Sequence, residues 1–524
     1  MNKFIVIIAA VLSINGYSQN TFQKTVIGPT ATVFYASHID ANGNIYAGGI
    51  YGNPPSPRAL ISKFNECGTV VWTTTIGVND EEVMDIAESS NGNIVAVGSS
   101  NSGGLGGGVD GLIFMLDTAG NVQWHKLFGG NQHDEFFKVV STGNNEFMAV
   151  GTTSSYGLGA SDILVVKFNT NGDTLWTKTY GGLSVEEGYN IRILADNNLL
   201  ITGKTWTFGQ GGGGGASDMY LLKINQNGDI IWTKTLGNAS FFTESAFDAI
   251  ELQSGNLIVV GHGGGAGLTL VKLTSIGNIL STNFYINPLG GSALRANEFT
   301  DVQLIGNDTL VLMIQGENII SSLSGPDGAL ILFDTTGNVI ISHAYGGSIT
   351  DNFGSMTLKN NTLVVVGSTY SSPFSGYIVK VNNAFNSGCS QTTHNVAGQP
   401  ITFLEGNGGF VAQGIETGTV AMVINDSIIL TSSTICANCI VTVGVESLND
   451  EADITIYPNP TASELNITTE LNIKYVAILD ITGKTIEAYE LKTNAINVTH
   501  LAKGIYFLKL ETEEGAITKK FVKQ

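Results

Sequence analysis

The strongest constraint on this chain is a slot that returns about every fifty residues. "CGTVVWTTTIG" carries Trp72, "AGNVQWHKLFGG" Trp124, "NGDTLWTKTYGG" Trp176 and "NGDIIWTKTLG" Trp232, at spacings of 52, 52 and 56. Weaker copies put Phe22, Ser281 and Ile341 in the same slot. A position shared by Trp, Phe and Ile is an apolar packing position, because a ring that stacks on a ligand would not be exchanged so freely. The Trp slot is therefore read as architecture.

Two further motifs keep phase with it. One ends in glycine, as in "GNIYAGG" (43–49), "GNIVAVG" (92–98), "NNLLITG" (197–203) and "NTLVVVG" (361–367); the other follows it, as in "LISKFN", "LVVKFN" and "YIVKVN". Short apolar runs bounded by Asn, Asp and Gly are strands. Asn42-Gly43, Asn91-Gly92, Asn171-Gly172 and Asn227-Gly228 predict tight hairpins whose two central residues both tolerate positive φ. Each unit then holds four strands. Units of this size cannot bury their own faces and must stack, and radial stacking also hides the sheet edges. The expected fold class is all-β: a seven- or eight-bladed β-propeller over 19–440, followed by a small Ig-like β-sandwich. Eight repeats of about 50 residues can be counted, the last one degenerate. A solenoid fits less well, since four antiparallel strands make a long period for one. The motif order resembles the β-propeller repeats common in secreted bacterial proteins, a resemblance that specifies fold and says little of function.

Charge narrows the function classes. A net charge of −20 excludes nucleic acid as an expected partner, because phosphate backbones need a basic footprint. Cations, neutral glycans and proteins stay open. The chain opens "MNKFIVIIAAVLSINGYSQN": Lys3, an apolar run from Phe4 to Leu12, then small residues at Gly16 and Ser18. This reads as a Sec signal peptide over 1–18, too short to span a bilayer, and no later run predicts a transmembrane helix.

A linker over 441–452 precedes a segment of different, nearly neutral composition at 453–524. Tyr457-Pro458-Asn459-Pro460, "DITGK" (480–484), "GIYFLKL" from Gly504, and the terminal "KKFVK" containing Lys520 stand there in order. These motifs closely resemble the type A C-terminal sorting domain (Por secretion tail) of the type IX secretion system of Bacteroidota. The resemblance implies Sec export, then passage across the outer membrane with the type IX machinery as partner. It also implies removal of the domain and release, or attachment to surface lipopolysaccharide. The expected location is therefore secreted or on the outer cell surface.

Chemistry-bearing residues are fewer. An acidic corner follows each slot: Asp80-Glu81-Glu82, Asp134-Glu135, Glu186-Glu187, Glu244, Glu298 and Asp351. If these corners share a rim, Glu82, Glu135 and Glu187 are the candidates for a cation such as Ca²⁺, which favours oxygen ligands. The alternative is that each carboxylate caps local backbone. Glycine-rich loops at 102–110, 155–162 and 207–218 each end in Asp and lie between strands, so they do not form a phosphate loop. They read as flexible loops on one binding face. Cys67, Cys389, Cys436 and Cys439 are expected to form disulfides after export, with three connectivities open. Histidine spacing supports no zinc site, and no nucleophile elbow is present. No cofactor is expected beyond Ca²⁺, and the chain is expected to be monomeric. The reading is a non-enzymatic binding scaffold for glycan or protein; the alternative is a polysaccharide-degrading hydrolase or lyase using rim carboxylates.

Overall fold

A computed structural model describes residues 21–382 except 103–104, 107, 210–215, 238–242, 264–266, 287–299, 315–327, 347–349 and 371–373. It further describes seven short strands and a few residues within 385–437, and 455–524 except 470–472, 481–484, 491–494 and 513–514. The expected signal peptide (1–18), the expected linker (441–452), Glu298, Cys389 and Cys439 lie outside the described residues. The chain divides into two compact units, 1–440 and 441–524.

The first unit holds seven antiparallel sheets. Blades 1 to 6 are consecutive four-strand meanders beginning at Thr32, Glu81, Asp134, Glu186, Ser245 and Asp301. Blade 7 takes three strands from 351–381, and its fourth is the N-terminal strand Phe22–Ile27, paired antiparallel to Ser375–Val381. The first strands of successive blades touch one another around a closed ring, with Asp351–Lys359 against Thr32–Ile39. They therefore line a central channel, and the architecture is a seven-bladed propeller closed by both ends of the ring.

The stretch counted as an eighth repeat builds no blade. Its strands run backwards around the outside and add a fifth strand to each sheet. Gln391–Thr393 joins blade 6, Ala397–Pro400 blade 5, Leu404–Gly406 blade 4 and Phe410–Ala412 blade 3. Thr417–Gly418 joins blade 2, Ile424–Asn425 blade 1, and Thr431–Ala437 pairs along all of Phe22–Ile27 in blade 7. A propeller leaves seven outer strand edges with unmet backbone groups, and this belt covers part of each. Cys67, in the outer turn of blade 1, is disulfide-bonded. The other three cysteines are Cys389, just before the first belt strand, Cys436, in the last, and Cys439, just after it, so the bond ties blade 1 to the belt or to the residues that flank it.

The Trp slot is structural, as the repeat implies. Trp72 sits opposite Lys63, Trp176 opposite Lys167, Trp232 opposite Lys223 and Phe22 opposite Lys380, one register position on every fourth strand. Each indole is half-buried and packs on a core cluster. Trp72 donates to the Thr118 carbonyl (3.2 Å) and Trp124 to the Thr170 carbonyl (2.8 Å), each in the outer hairpin of the next blade. The glycine of that hairpin makes room: a Cβ on Gly120 would lie 2.8 Å from the Trp72 ring, and one on Gly172 2.9 Å from the Trp124 ring. The Asn-Gly turn and the Trp that follows it thus serve two different interfaces. Trp124→Ala removes packing and one interblade hydrogen bond and is expected to cost about 2–4 kcal/mol in chemical denaturation.

The turns differ from the predicted two-residue type. Gly43 and Gly172 have φ of +80° and +79°, but Asn42 and Asn171 do not have positive φ. The turn closes instead on an Asx cap: Asp40 Oδ1 accepts from the N–H groups of Asn42 and Asn44, both at 2.9 Å, and Asn169 Oδ1 does the same for Asn171 and Asp173. The side chain two residues before the Asn carries the turn, and only Gly needs the left-handed region. True two-residue turns with both φ positive occur at Asn144-Asn145 and Asn360-Asn361.

The second unit has two sheets. Thr455–Tyr457, Glu464–Thr468 and Ala495–Asn497 form one; Ile473–Leu479, Thr485–Glu490, Gly504–Thr512 and Gly515–Lys523 form the other. Leu465, Ile467 and Ile496 from the first pack with Val476, Ile478, Leu508, Leu510 and Phe521 from the second in one core. This is a small β-sandwich.

Candidate ligand-binding face

Antiparallel topology puts three things on one face of the propeller: the start of each first strand, the loop between second and third strands, and the link between blades. The acidic corners and glycine-rich loops therefore share a face, at one mouth of the channel. The tight Asn and Asp turns lie on the other.

The acidic corners split into two sets by register. Glu81, Asp134, Glu186 and Asp351 sit opposite Ser100, Thr153, Thr205 and Thr369 on the second strand, and all are buried. Their carboxylates tie loops together. Glu186 accepts from Gly182 N–H (2.7 Å), the Thr205 hydroxyl (2.7 Å) and Thr207 N–H (3.2 Å). Asp134 accepts from Gly130 N–H (3.0 Å), the Ser155 hydroxyl (2.6 Å) and the Thr153 hydroxyl. These are internal caps, not rim ligands. The aspartates ending the glycine loops, Asp110 and Asp162, are buried too. Each accepts from a backbone N–H within its own loop: Leu105 (2.9 Å) and Leu158 (2.6 Å). Gly157 and Gly181 close on Asp162 from both sides, and any Cβ there would collide with its carboxylate. Where the loops are described, their glycines serve close approach: Gly157 and Gly209 to the buried Asp162 and Asp218, and Gly106, Gly108 and Gly159 to the backbone of the link to the next blade.

The other oxygen of Asp162, Oδ1, has no hydrogen-bond partner, and the Cβ position of Gly181 faces both it and Glu186 Oε2. Asp110 and Asp134 converge on Gly129 in the same way. Burial, reinforced by the Glu186 charge, pushes Asp162 up to about 6, and Asp110 is raised for the same reasons. The folded state therefore holds a proton that an unfolded aspartate releases near 4. That contribution to stability is complete below about pH 4 and is lost as pH rises through about 6. Asp162→Asn, which keeps a neutral donor facing Glu186, is expected to flatten the fall in urea midpoint between pH 4.5 and 7. An unchanged slope would show that Asp162 does not hold this proton.

The second set points to the channel mouth. Glu82, Glu135 and Glu187 occupy one register position on blades 2, 3 and 4, opposite Ser99, Thr152 and Lys204. The structure gives each a different partner. Glu187 pairs with Lys204 at 2.9 Å and accepts from the Tyr189 hydroxyl at 2.7 Å. Glu135 lies 3.2 Å from His133 and raises its basicity. Glu82 accepts from the Ser99 hydroxyl at 3.0 Å, and among the described residues no cation forms an ion pair with it. Burial raises the Glu82 carboxyl, helped by Glu135 and Asp80. Among the described residues no three His, Cys, Asp or Glu side chains converge as a metal site.

Below the mouth, a bulge recurs in the first strands. The register slips at Tyr35, Met84, Phe137, Tyr189, Phe247 and Gly354. A bulge adds one residue and re-aims its side chain. Phe137, Tyr189 and Phe247 form a chain of ring contacts with centroids 5.7 and 5.3 Å apart. Tyr35, Met84, Phe137 and Tyr189 line one cavity with Lys138 and Asp301. The next register position carries a polar layer that repeat reasoning missed. Lys138 pairs with Asp85 at 3.3 Å, and Arg192 bridges Asp248 (2.9 and 2.5 Å) and Asp301 (3.1 Å) while donating to the Val302 carbonyl (2.8 Å). Burial and the Asp248 charge push Asp301 up to about 7. The sequence signal was a charge interrupting an apolar first strand, as in "EEVMDIA", "DEFFKVV" and "SAFDAIE".

In the second unit, Asn459 clamps the last strand from both sides: its Nδ2 donates to the Lys520 carbonyl and its Oδ1 accepts from Val522 N–H, both at 2.9 Å. Thr461 and Gln524 extend the clamp through their backbones. Residues 455–524 match the family described as "Secretion system C-terminal sorting domain". The second unit is a type IX secretion sorting domain. Within the sorting domain, Tyr457 is 53% exposed and Lys520 is exposed. Pro458 and Pro460 follow cis peptide bonds on either side of Asn459, and Gly504 starts the strand that pairs with Lys523.

No curated protein matches the chain. Solved structures similar to it include the phage phi92 endosialidase, at 13% identity over 70% of this chain and 69% of that one, TM-score 0.37. The polysaccharide lyase Uly1 shares 10% identity over 71% and 94%, TM-score 0.39. PorZ, a surface component of the type-IX secretion system of Porphyromonas gingivalis, shares 11% over 96% and 100%, TM-score 0.22. Likeness of this degree says nothing of activity, and the propeller stands on its seven sheets.

Proposed function

We propose that the chain is a binding scaffold, delivered to the cell surface by its sorting domain, that engages a glycan or protein ligand on the loop face of the propeller. The observation that carries this is the chemistry of that face. Trp206, Leu158, Leu183, Tyr370 and Phe374 are 39%, 53%, 83%, 51% and 41% exposed there. Exposed apolar residues gathered on one rim of a channel are what a ligand would cover. The carboxylates, by contrast, are mostly committed: the first set to loop caps, Glu135 to His133 and Glu187 to Lys204. Sec export through residues 1–18 and a monomeric state complete the reading.

A hydrolase remains the second reading because of one observation. Burial raises the Glu82 carboxyl while neighbouring Glu135 is ion-paired to His133, and two nearby carboxyls in unlike environments suit acid–base work. The test is retention of the purified chain on immobilised polysaccharides and on outer-membrane protein fractions. Trp206→Ala and Leu183→Ser, on the loop face, are expected to lower retention at least tenfold. Leu175→Ser, on an outer strand, is expected to leave it unchanged. Equal effects from all three would remove the loop face as the binding surface.

A further inference from the structure

On the turn face, opposite the loops, blades 3 and 4 depart from the repeat side by side, and the departures line one cleft. The first hairpins of blades 1, 2 and 5 turn on Gly43, Gly92 and Gly255, with φ of +80°, +83° and +78°; blade 4 places Asn197 there, at +60°. The closing bond sets the equivalence: Asn197 N–H donates to the Leu194 carbonyl (2.9 Å) as Gly92 N–H does to that of Ser89 (3.0 Å). Glycine meets this conformation at least cost, so asparagine adds nothing to the turn itself. Its carboxamide makes no hydrogen bond among the described residues. In blade 3 the first strand runs ten residues, against eight in blades 2 and 4, and ends in Asn144-Asn145. Between this hairpin and the blade 4 turns lies a cleft of about 460 Å³, a volume typical of small-ligand sites. Thr142, Asn144, Ile193, Asn197 and Gln226 line it, with the Glu146–Lys167 ion pair (2.8 Å) in its wall.

We propose that this cleft binds a neutral saccharide residue. The Asn144 side chain, like that of Asn197, has no hydrogen-bond partner among the described residues. Each carboxamide offers a donor and an acceptor, which is what neighbouring sugar hydroxyls require. Thr142 Oγ1 is shielded from solvent and lacks a partner, so a ligand hydroxyl that reaches it removes a standing desolvation cost. Ile193, 38% exposed, offers an apolar patch to the C–H face of a sugar ring. Lys167 and Glu146 neutralise each other, so the lining offers no net charge to an ionic ligand. An extended peptide would need an open strand edge, and these walls are closed turns. Both walls are also preset. Asn145 accepts from the Ser90 hydroxyl of blade 2 (2.6 Å) and, through its carbonyl, from Thr170 N–H (3.0 Å). Gln226 Nε2 donates to the Asn197 carbonyl (2.8 Å), and Ala195 N–H to the Glu251 carboxylate of blade 5 (2.6 Å). Because the cleft lies on the opposite face, the proposal neither needs nor excludes a ligand on the loops. A site for one sugar unit holds it weakly, so it is read with free probes in solution rather than by retention.

The test is saturation-transfer NMR and calorimetry on the purified full chain. The probes are the methyl pyranosides of glucose, galactose and mannose, maltotriose, glucuronate, and N-acetyl-alanine methylamide. At least one neutral sugar is expected to bind at least tenfold more tightly than glucuronate or the peptide probe. Asn144→Gly combined with Asn197→Gly keeps both turns in residues at ease with positive φ. It is expected to lower sugar affinity at least tenfold without lowering the melting temperature. Thr142→Val, which replaces an unpartnered hydroxyl by a methyl, is expected to weaken sugar binding at an unchanged or higher melting temperature. Trp206→Ala is expected to change nothing. Binding of a methyl glycoside assigns a free sugar or chain end, binding of maltotriose alone a residue within a chain, and either supports the proposal. Glucuronate or the peptide binding as tightly as the sugars, sugar affinity that survives the double glycine variant, or no binding by any probe overturns it. Sugar affinity lost with Trp206→Ala and kept in the double variant also overturns it, while leaving the loop-face reading standing.

Discussion

Arg192→Met is expected to destabilise the propeller by about 3–5 kcal/mol, read as a fall in the urea midpoint with unchanged slope. The guanidinium is the link between Asp248 and Asp301, whose side chains are 0% and 9% exposed. Removing it leaves two carboxylates facing each other inside the channel, with Lys138 as the remaining nearby cation among the described residues. The cost is that of stranded buried charge rather than of the lost contact itself. Two controls separate these. The deficit shrinks at pH 5, where the stranded carboxyls take up protons, and adding Asp301→Asn recovers a large part of it. A loss below 1 kcal/mol would mean that water in the channel already solvates the group.

Reduction, or Cys67→Ser, is expected to cost about 4 kcal/mol, because the disulfide closes a loop of roughly three hundred residues or more. The effect has a place as well as a size. The belt strands are two to seven residues long and pair with outer edges only. With the disulfide open, limited proteolysis is expected to cut first within 391–437 while the seven blades resist. Cuts spread evenly over blades and belt would show that the bond does not hold the belt in place.

These two effects fall on features of unequal legibility. The Trp slot and the strand order could be read directly, because interblade packing repeats wherever the blade repeats. The belt could not. "GGFVAQG" and "AMVIND" have the apolar, glycine-bounded character of blade strands, and a fifth strand meets the same local demands as a fourth. What sets the belt apart is the absence of a Trp slot and strand starts only six or seven residues apart. The channel network was hidden for the opposite reason. Asp85, Lys138, Asp248 and Asp301 share a register, but Lys138 interrupts the aspartates and the other three blades carry Ala36, Asn190 and Ser355 there, so a search for repeats discards them. The acidic corners were visible as a set, yet neighbouring residues diverge: Glu186 turns inward to cap a loop while Glu187 faces the mouth. That alternation follows from strand geometry once the strand's start is fixed, and a single residue of uncertainty there reverses it. In the sorting domain the Tyr-Pro-Asn-Pro motif was legible, whereas the reason for its Asn, a clamp on the final strand, needs both segments in place.

The most direct test of the functional account records two quantities in one vessel. The purified full chain is incubated with neutral polysaccharides and with outer-membrane proteins, and bound chain and released oligosaccharide are measured together. Retention that depends on Trp206 and Leu183, with no released product, is the predicted result. Release of oligosaccharide that Glu82→Gln or Glu135→Gln abolishes would contradict it and make the channel mouth an active site.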